Sequence, residues 1–180
     1  RVLFRSGFLM KSKIALLSSA ILTIFFVGCG MQPTTPKVTT PKVITTNSTV
    51  STATEFEKAI SSKGTWVIAI KKNLTIDKDL VVEGEFKKDK TVVGRTIDLY
   101  NRDKDKSITS KFTLTVPKLT INSPKTSIEH GTFKGDLYVS SNNFQLIDTT
   151  VDGNVYFTTK EAKSTCKMDA KSKEIGRAHV

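Results

Sequence analysis

From Thr65 onward, apolar and polar positions alternate in short bursts, and one burst pattern occurs twice. Gly131-Thr132-Phe133-Lys134-Gly135-Asp136-Leu137-Tyr138-Val139 reads small, Thr, apolar, charged, Gly, acid, apolar, Tyr, apolar. Thr149-Thr150-Val151-Asp152-Gly153-Asn154-Val155-Tyr156-Phe157 reads the same way eighteen residues later. A repeat of that length with a Gly turn inside each copy predicts stacked coils of a parallel β-solenoid. The expected fold is mainly β, a short parallel β-helix over residues 54–173.

The rest of the chain fits around that core. Thr54-Glu55-Phe56-Glu57 has the form of a capping box, and Phe56, Ala59 and Ile60 share one helical face, with Gly64 as the stop. The amphipathic helix so predicted is placed to cap the N-terminal end of the solenoid. Short β-rich runs follow at Trp66–Ile70, Leu74–Ile76 and Leu80–Phe86, with Lys87–Lys90 as a charged loop. Thr96–Tyr100 and Lys111–Val116 are further strands around Asn101–Lys106, a loop suited to an antiparallel hairpin projecting from the solenoid. Pro117 and Pro124 flank another strand at Leu119–Ile121, and Ser140–Asn143 is expected to be a corner. In the pairs Gly135-Asp136 and Gly153-Asn154 the glycine is expected to turn the chain. The Asp or Asn then accepts main-chain hydrogen bonds, so that stacked copies form ladders. These four residues are structural corners in this reading.

The N-terminal region changes the picture of where the domain resides. Lys11 and Lys13 precede an apolar run, Ile14–Val27, too short to span a bilayer but of signal-peptide length. Phe26-Val27-Gly28-Cys29 then resembles a bacterial lipoprotein signal, which implies lipidation at Cys29, palmitate included, after cleavage of residues 10–28. Phe26 departs from the usual Leu, and a plain secretory leader or uncleaved anchor is the alternative. Residues 29–53 carry a tandem Thr-Thr-Pro-Lys-Val and no aromatic residue, the composition of a disordered tether. The two chain ends back-translate into mutually reverse-complementary strings resembling a sequencing adapter. Residues 1–9 and 174–180 are accordingly treated as non-native, with Met10 as the natural start, and more coils are expected after Lys173.

Between Cys29 and Lys173 there are 23 Lys/Arg and 16 Asp/Glu, a net charge of +7. For an exported protein this favours anionic wall polymers or lipid headgroups over nucleic acid, with a merely soluble Lys-rich surface as the plain alternative. With Cys29 assigned to lipid, Cys166 is left without a disulfide partner and is expected to face inward as a small hydrophobe.

The unit apolar-x-Gly-[Asp/Asn]-apolar in Phe133–Leu137 and Val151–Val155 resembles the repeat of bactofilin-like polymer-forming proteins. That likeness implies a right-handed β-helix and self-association. The whole-chain plan resembles uncharacterised Gram-positive surface lipoproteins with one β-helical domain, which implies a location and a fold but no activity. No nucleophile elbow, phosphate loop or zinc-ligand spacing is present, so no catalytic, metal or cofactor residue is nominated. His130 follows Glu129, and in a strand the two face opposite ways. A β-helical polysaccharide lyase would need a carboxylate group with a basic partner, for which Asp136, Asp148, Asp152 and Lys134 are the candidates. The primary expectation is a lipid-anchored binding or structural scaffold on the outer face of the cell membrane.

Overall fold

The computed structural model describes residues 47–176, and the leader, Cys29 and most of the expected tether lie outside them. The architecture is mainly β and built on two parallel sheets. Sheet A orders Asn47–Val50 (β1), Val67–Ile70 (β2), Thr96–Asp98, Ser127–Glu129, Gln145–Ile147 and Lys167–Met168. Sheet B orders Leu74–Thr75 with Leu80–Val82, Thr113–Ile121, Thr132–Val139, Thr150–Asp152 with Val155–Phe157, and Lys173–Glu174. From β2 to Lys173–Glu174 the chain visits the two sheets alternately, laying each new strand beside the previous one in its sheet.

Register follows the apolar pattern. Ile68, Ile97, Ile128 and Leu146 align across sheet A, and Leu114, Phe133 and Val151 across sheet B. These rows point into one buried cluster shared by both sheets. Leu119, Leu137 and Val155 are successive partners at eighteen-residue steps. The two pattern copies pair parallel, Leu137–Val139 against Val155–Phe157. Earlier steps are longer, 29 residues from Ile68 to Ile97 and 31 from Ile97 to Ile128. Two antiparallel hairpins take up the excess, Phe86–Lys88 with Thr91–Val93 and Tyr100–Arg102 with Ile108–Lys111.

Several expectations shift. The stretch read as tether up to residue 53 already contains β1, because Val50 is apolar enough to be fully buried beside Ile70. Helix α1 spans Ala53–Ile60 and buries Phe56, Ala59 and Ile60 as expected, but its capping box is Thr52 with Glu55. Thr54 lies inside the helix, and Glu57 instead pairs with Lys78 at 2.9 Å. The helix ends at Ser61, ahead of Gly64. Lys87–Lys90 is a tight hairpin rather than an open loop, since Asp89 and Lys90 both take positive φ (49° and 67°), the backbone of a two-residue hairpin turn. Pro117 does not end a strand. Thr113–Ile121 runs through it with a register shift between Thr115 and Lys118, a bulge where the missing N–H is tolerated. At the other end, Lys173–Glu174 pairs with Thr150–Val151 in sheet B.

The largest fully buried side chain is Arg95. Its guanidinium donates to the carbonyls of Ile60 (2.6 Å), Glu83 (2.7 Å), Ser61 (2.9 Å) and Thr65 (2.9 Å) and lies 4.4 Å from the Phe86 ring centre. Ile60 and Ser61 close α1, so the cation also meets the negative end of the helix. Burial alone lowers the Arg95 pKa to about 10, which leaves it charged at neutral pH. Removing it takes the donor from Thr65 O and Glu83 O, while Ile60 O and Ser61 O keep Glu83 N and Gly64 N. Arg95→Met is expected to lower the unfolding free energy by about 3 kcal/mol or more, measured as a drop in the urea midpoint with the m-value unchanged; a shift below about 0.5 kcal/mol would contradict this account.

Candidate binding surface

Alternation along the strands of sheet B turns every second side chain away from the core. The outward residues form columns at strand spacing: Thr113, Thr132, Thr150 and Lys173; Thr115, Lys134 and Asp152; Thr120, Tyr138 and Tyr156. Tyr138 and Tyr156 stack at 4.6 Å between ring centres, and the Lys118 ammonium sits 4.5 Å over the Tyr138 ring. Burial, followed by the nearby Asp136 charge, raises the Tyr156 pKa, so the phenol stays protonated at neutral pH. Lys134 Nζ approaches Asp152 at 3.9 Å.

Asp136 lies between these columns. Its Oδ1 accepts from Asn154 N (3.2 Å) and Asn154 Nδ2 (3.0 Å), one step of a side-chain ladder. Asn154 Oδ1 is buried without a partner. The two glycines beside them turn the chain within sheet B rather than between the sheets. Gly135 lies inside the strand Thr132–Val139 and Gly153 between the two halves of the next passage through sheet B. Gly135 has φ +133°, and a Cβ on it would collide with the Val116 carbonyl at the bulge. A Cβ on Gly153 would collide in turn with the Gly135 carbonyl, and one on Gly176 with that of Gly153.

The real corners use other residues. Lys125 and Asn143 hold positive φ (55° and 59°) at one, His130 and Asp148 (58° and 47°) at the other, and each pair is eighteen residues apart. Only Asn143 fell in a predicted corner. A lysine and a histidine carry no turn signal, so the periodicity was hidden. His130 therefore leaves strand geometry, and its Nδ1 meets Asp148 Oδ2 at 3.0 Å. Lys111 Nζ reaches the same oxygen at 2.7 Å; these two hydrogen bonds, Lys111 first, lower the Asp148 pKa. Tyr100 packs edge-on to His130.

Of the lyase-type candidates the structure brings Lys134 and Asp152 together. Asp148 belongs to this corner, Asp136 to Asn154 and Asp152 to Lys134. Among the described residues no three of His, Cys, Asp and Glu converge to hold a metal ion, and no helix is long and apolar enough to cross a membrane. Cys166 is half-buried and packs against the core, and burial raises its thiol pKa. The outer face of sheet A holds one feature the sequence did not signal. Asp98 and Glu129 are register partners, and Asp98 Oδ1 is buried with no donor. Burial first, then the Glu129 charge, pushes the Asp98 pKa up to about 6.

No family profile, curated protein or solved structure matches this chain.

Two outcomes follow from this geometry. Gly135→Ala forces a side chain into both a positive φ and an occupied space, and is expected to lower stability by about 2 kcal/mol or more, read from thermal or urea unfolding. Asp98 binds its proton more tightly folded than unfolded. Below its ordinary value of 3.8 it is protonated in both states; as pH rises to about 6 the unfolded chain ionises first, so this residue's effect is a fall in stability across that window that persists above it. After allowance for partial solvent access the loss is on the order of 1–2 kcal/mol. Asp98→Asn is expected to abolish it, so that the variant exceeds the parent in urea midpoint at pH 7.5 and matches it at pH 3.5.

Proposed function

We infer that this chain is a non-catalytic scaffold which binds repetitive anionic polymers at the outer face of a bacterial membrane. Its fold, in this reading, is a short right-handed parallel β-helix with α1 as the cap at its N-terminal end. Alternate visits to two parallel sheets at eighteen-residue steps support the helix, as do hairpins that account for the longer steps. The Gly28-Cys29 pair after an apolar run supports a lipid anchor.

The observation that carries the binding role is the outer face of sheet B. It repeats hydroxyl and phenol groups in columns at the strand spacing of about 4.8 Å, with single lysines among them, of which Lys118 and Lys173 are outside any ion pair among the described residues. A periodic array complements a periodic ligand, because one matched contact sets the phase of the next and weak contacts add along the chain. Excess positive charge selects a polyanion. Self-assembly draws less support, since residues 29–173 carry a net charge of +7 and like charge on every copy opposes stacking.

The test is co-sedimentation with isolated envelopes. Tyr138→Ala with Lys118→Ala is expected to weaken binding about tenfold or more, in proportion to about 1.4 kcal/mol or more, while circular dichroism stays unchanged. Cys29→Ala is expected to move the protein from the membrane to the soluble fraction without altering polymer binding. Full polymer binding by the Tyr138/Lys118 variant would overturn the assignment of this face.

A further inference from the structure

A second surface, independent of the polymer-binding reading, lies where α1, β1 and the Phe86 hairpin meet. They enclose a groove of ≈ 780 Å³ with Val50, Ala59, Trp66 and Phe86 among its apolar lining and Lys58 and Lys63 among its charges. Its carboxylates are engaged. Glu55 Oε2 accepts from Ser51 N and Thr52 N at 2.8 and 3.1 Å, and Glu85 pairs with Lys87 at 2.9 Å. Lys58 and Lys63 have no carboxylate within ion-pair distance among the described residues. The groove is therefore cationic in spite of its acidic residues, and the Arg95 guanidinium stacked on Phe86 holds that wall in place.

One wall is main chain. β1 pairs with β2 on one side and has no strand neighbour on the other among the described residues. Val50 O accepts from Lys71 N at 3.0 Å, so the peptide groups of Val50 turn toward β2 and those of Thr49, one residue earlier, turn to the opposite edge. Thr49 is exposed and lines the groove. A strand edge unpaired at Thr49 among the described residues, beside an apolar trough and two ammonium groups outside any ion pair there, is the recognition chemistry of strand addition.

We propose that this groove receives an extended acidic peptide segment of a partner protein, which adds to the free edge of β1, sets carboxylates on Lys58 and Lys63 and lays an apolar side chain against Trp66 and Phe86. A second copy of the chain is a poor occupant, because residues 29–173 carry a net charge of +7 and like charges oppose the approach. A sugar polymer would use the lysines and the aromatic rings but leave the edge of β1 unpaired.

Trp66 is the one tryptophan in the chain, so its emission reads occupancy of the groove directly. The full chain is titrated with a blocked peptide alternating Glu and Val, with its Lys-for-Glu counterpart, with the acidic peptide N-methylated at alternate amides, and with polygalacturonate. The acidic peptide is expected to give a saturable change that weakens with salt, and the other three to bind about tenfold more weakly or not at all, a difference of about 1.4 kcal/mol or more. Lys58→Glu with Lys63→Glu, both on the surface, is expected to abolish the response while the urea midpoint stays at the parent value. Equal binding of the N-methylated peptide or of polygalacturonate would overturn strand addition, and no saturable response to the acidic peptide would overturn the site.

Discussion

When Leu119, Leu137 and Val155 align across three neighbouring strands, every residue between them is assigned a neighbour as well. In-register parallel pairing is the constraint on which the rest depends. A slip of one residue would turn Phe133 and Val151 outward and bring Lys134 and Asp152 into the core. Because the alignment is shared by both faces, the force that buries the apolar rows also builds the outward columns. Tyr138 meets Tyr156 for the same reason that Leu137 meets Val155. Main-chain hydrogen bonds between neighbouring strands then fix the spacing, and side-chain steps such as Asp136 to Asn154 reinforce it.

Arg95 solves a problem that this constraint creates at the β1 end of sheet A. The strands there meet a helix, and the last carbonyls of α1 have no donors within the helix. One buried guanidinium takes two of these and two more from Thr65 and Glu83. The cost of desolvating the cation is offset by charge-assisted hydrogen bonds and by contact with Phe86. Helix, sheet and first hairpin are thereby joined through a single side chain.

Residues 131–157 were legible because nothing interrupts the eighteen-residue step there. Further upstream the same step is present but concealed. Two hairpins lengthen it to 29 and 31 residues, so self-comparison at one offset finds no match between Ile68, Ile97 and Ile128. The corners were concealed for a different reason. Turn chemistry points to Gly and Asn, whereas Lys125 and His130 hold positive φ here because the sheets on either side fix the path of the chain. The Asp136–Asn154 step was readable from the recurring Gly-[Asp/Asn] pair; the lysine over Tyr138 was not, since Lys118 follows a proline taken to end a strand. Nothing local in the sequence singles out Arg95 or Asp98, and only long-range packing places one in the core and the other beside Glu129.

The hairpin Tyr100–Lys111 leaves sheet A after Asp98 and returns to sheet B at Thr113 without disturbing the pairing of Asp98 with Glu129 or of Leu114 with Phe133. Its tip is closed locally, with Asp103 Oδ1 accepting from Asp105 N and Ser107 N. Length at that point is therefore uncoupled from alignment everywhere else. Such a junction lets a lineage lengthen, shorten or replace the protruding segment and expose a new epitope while the frame beneath is inherited intact.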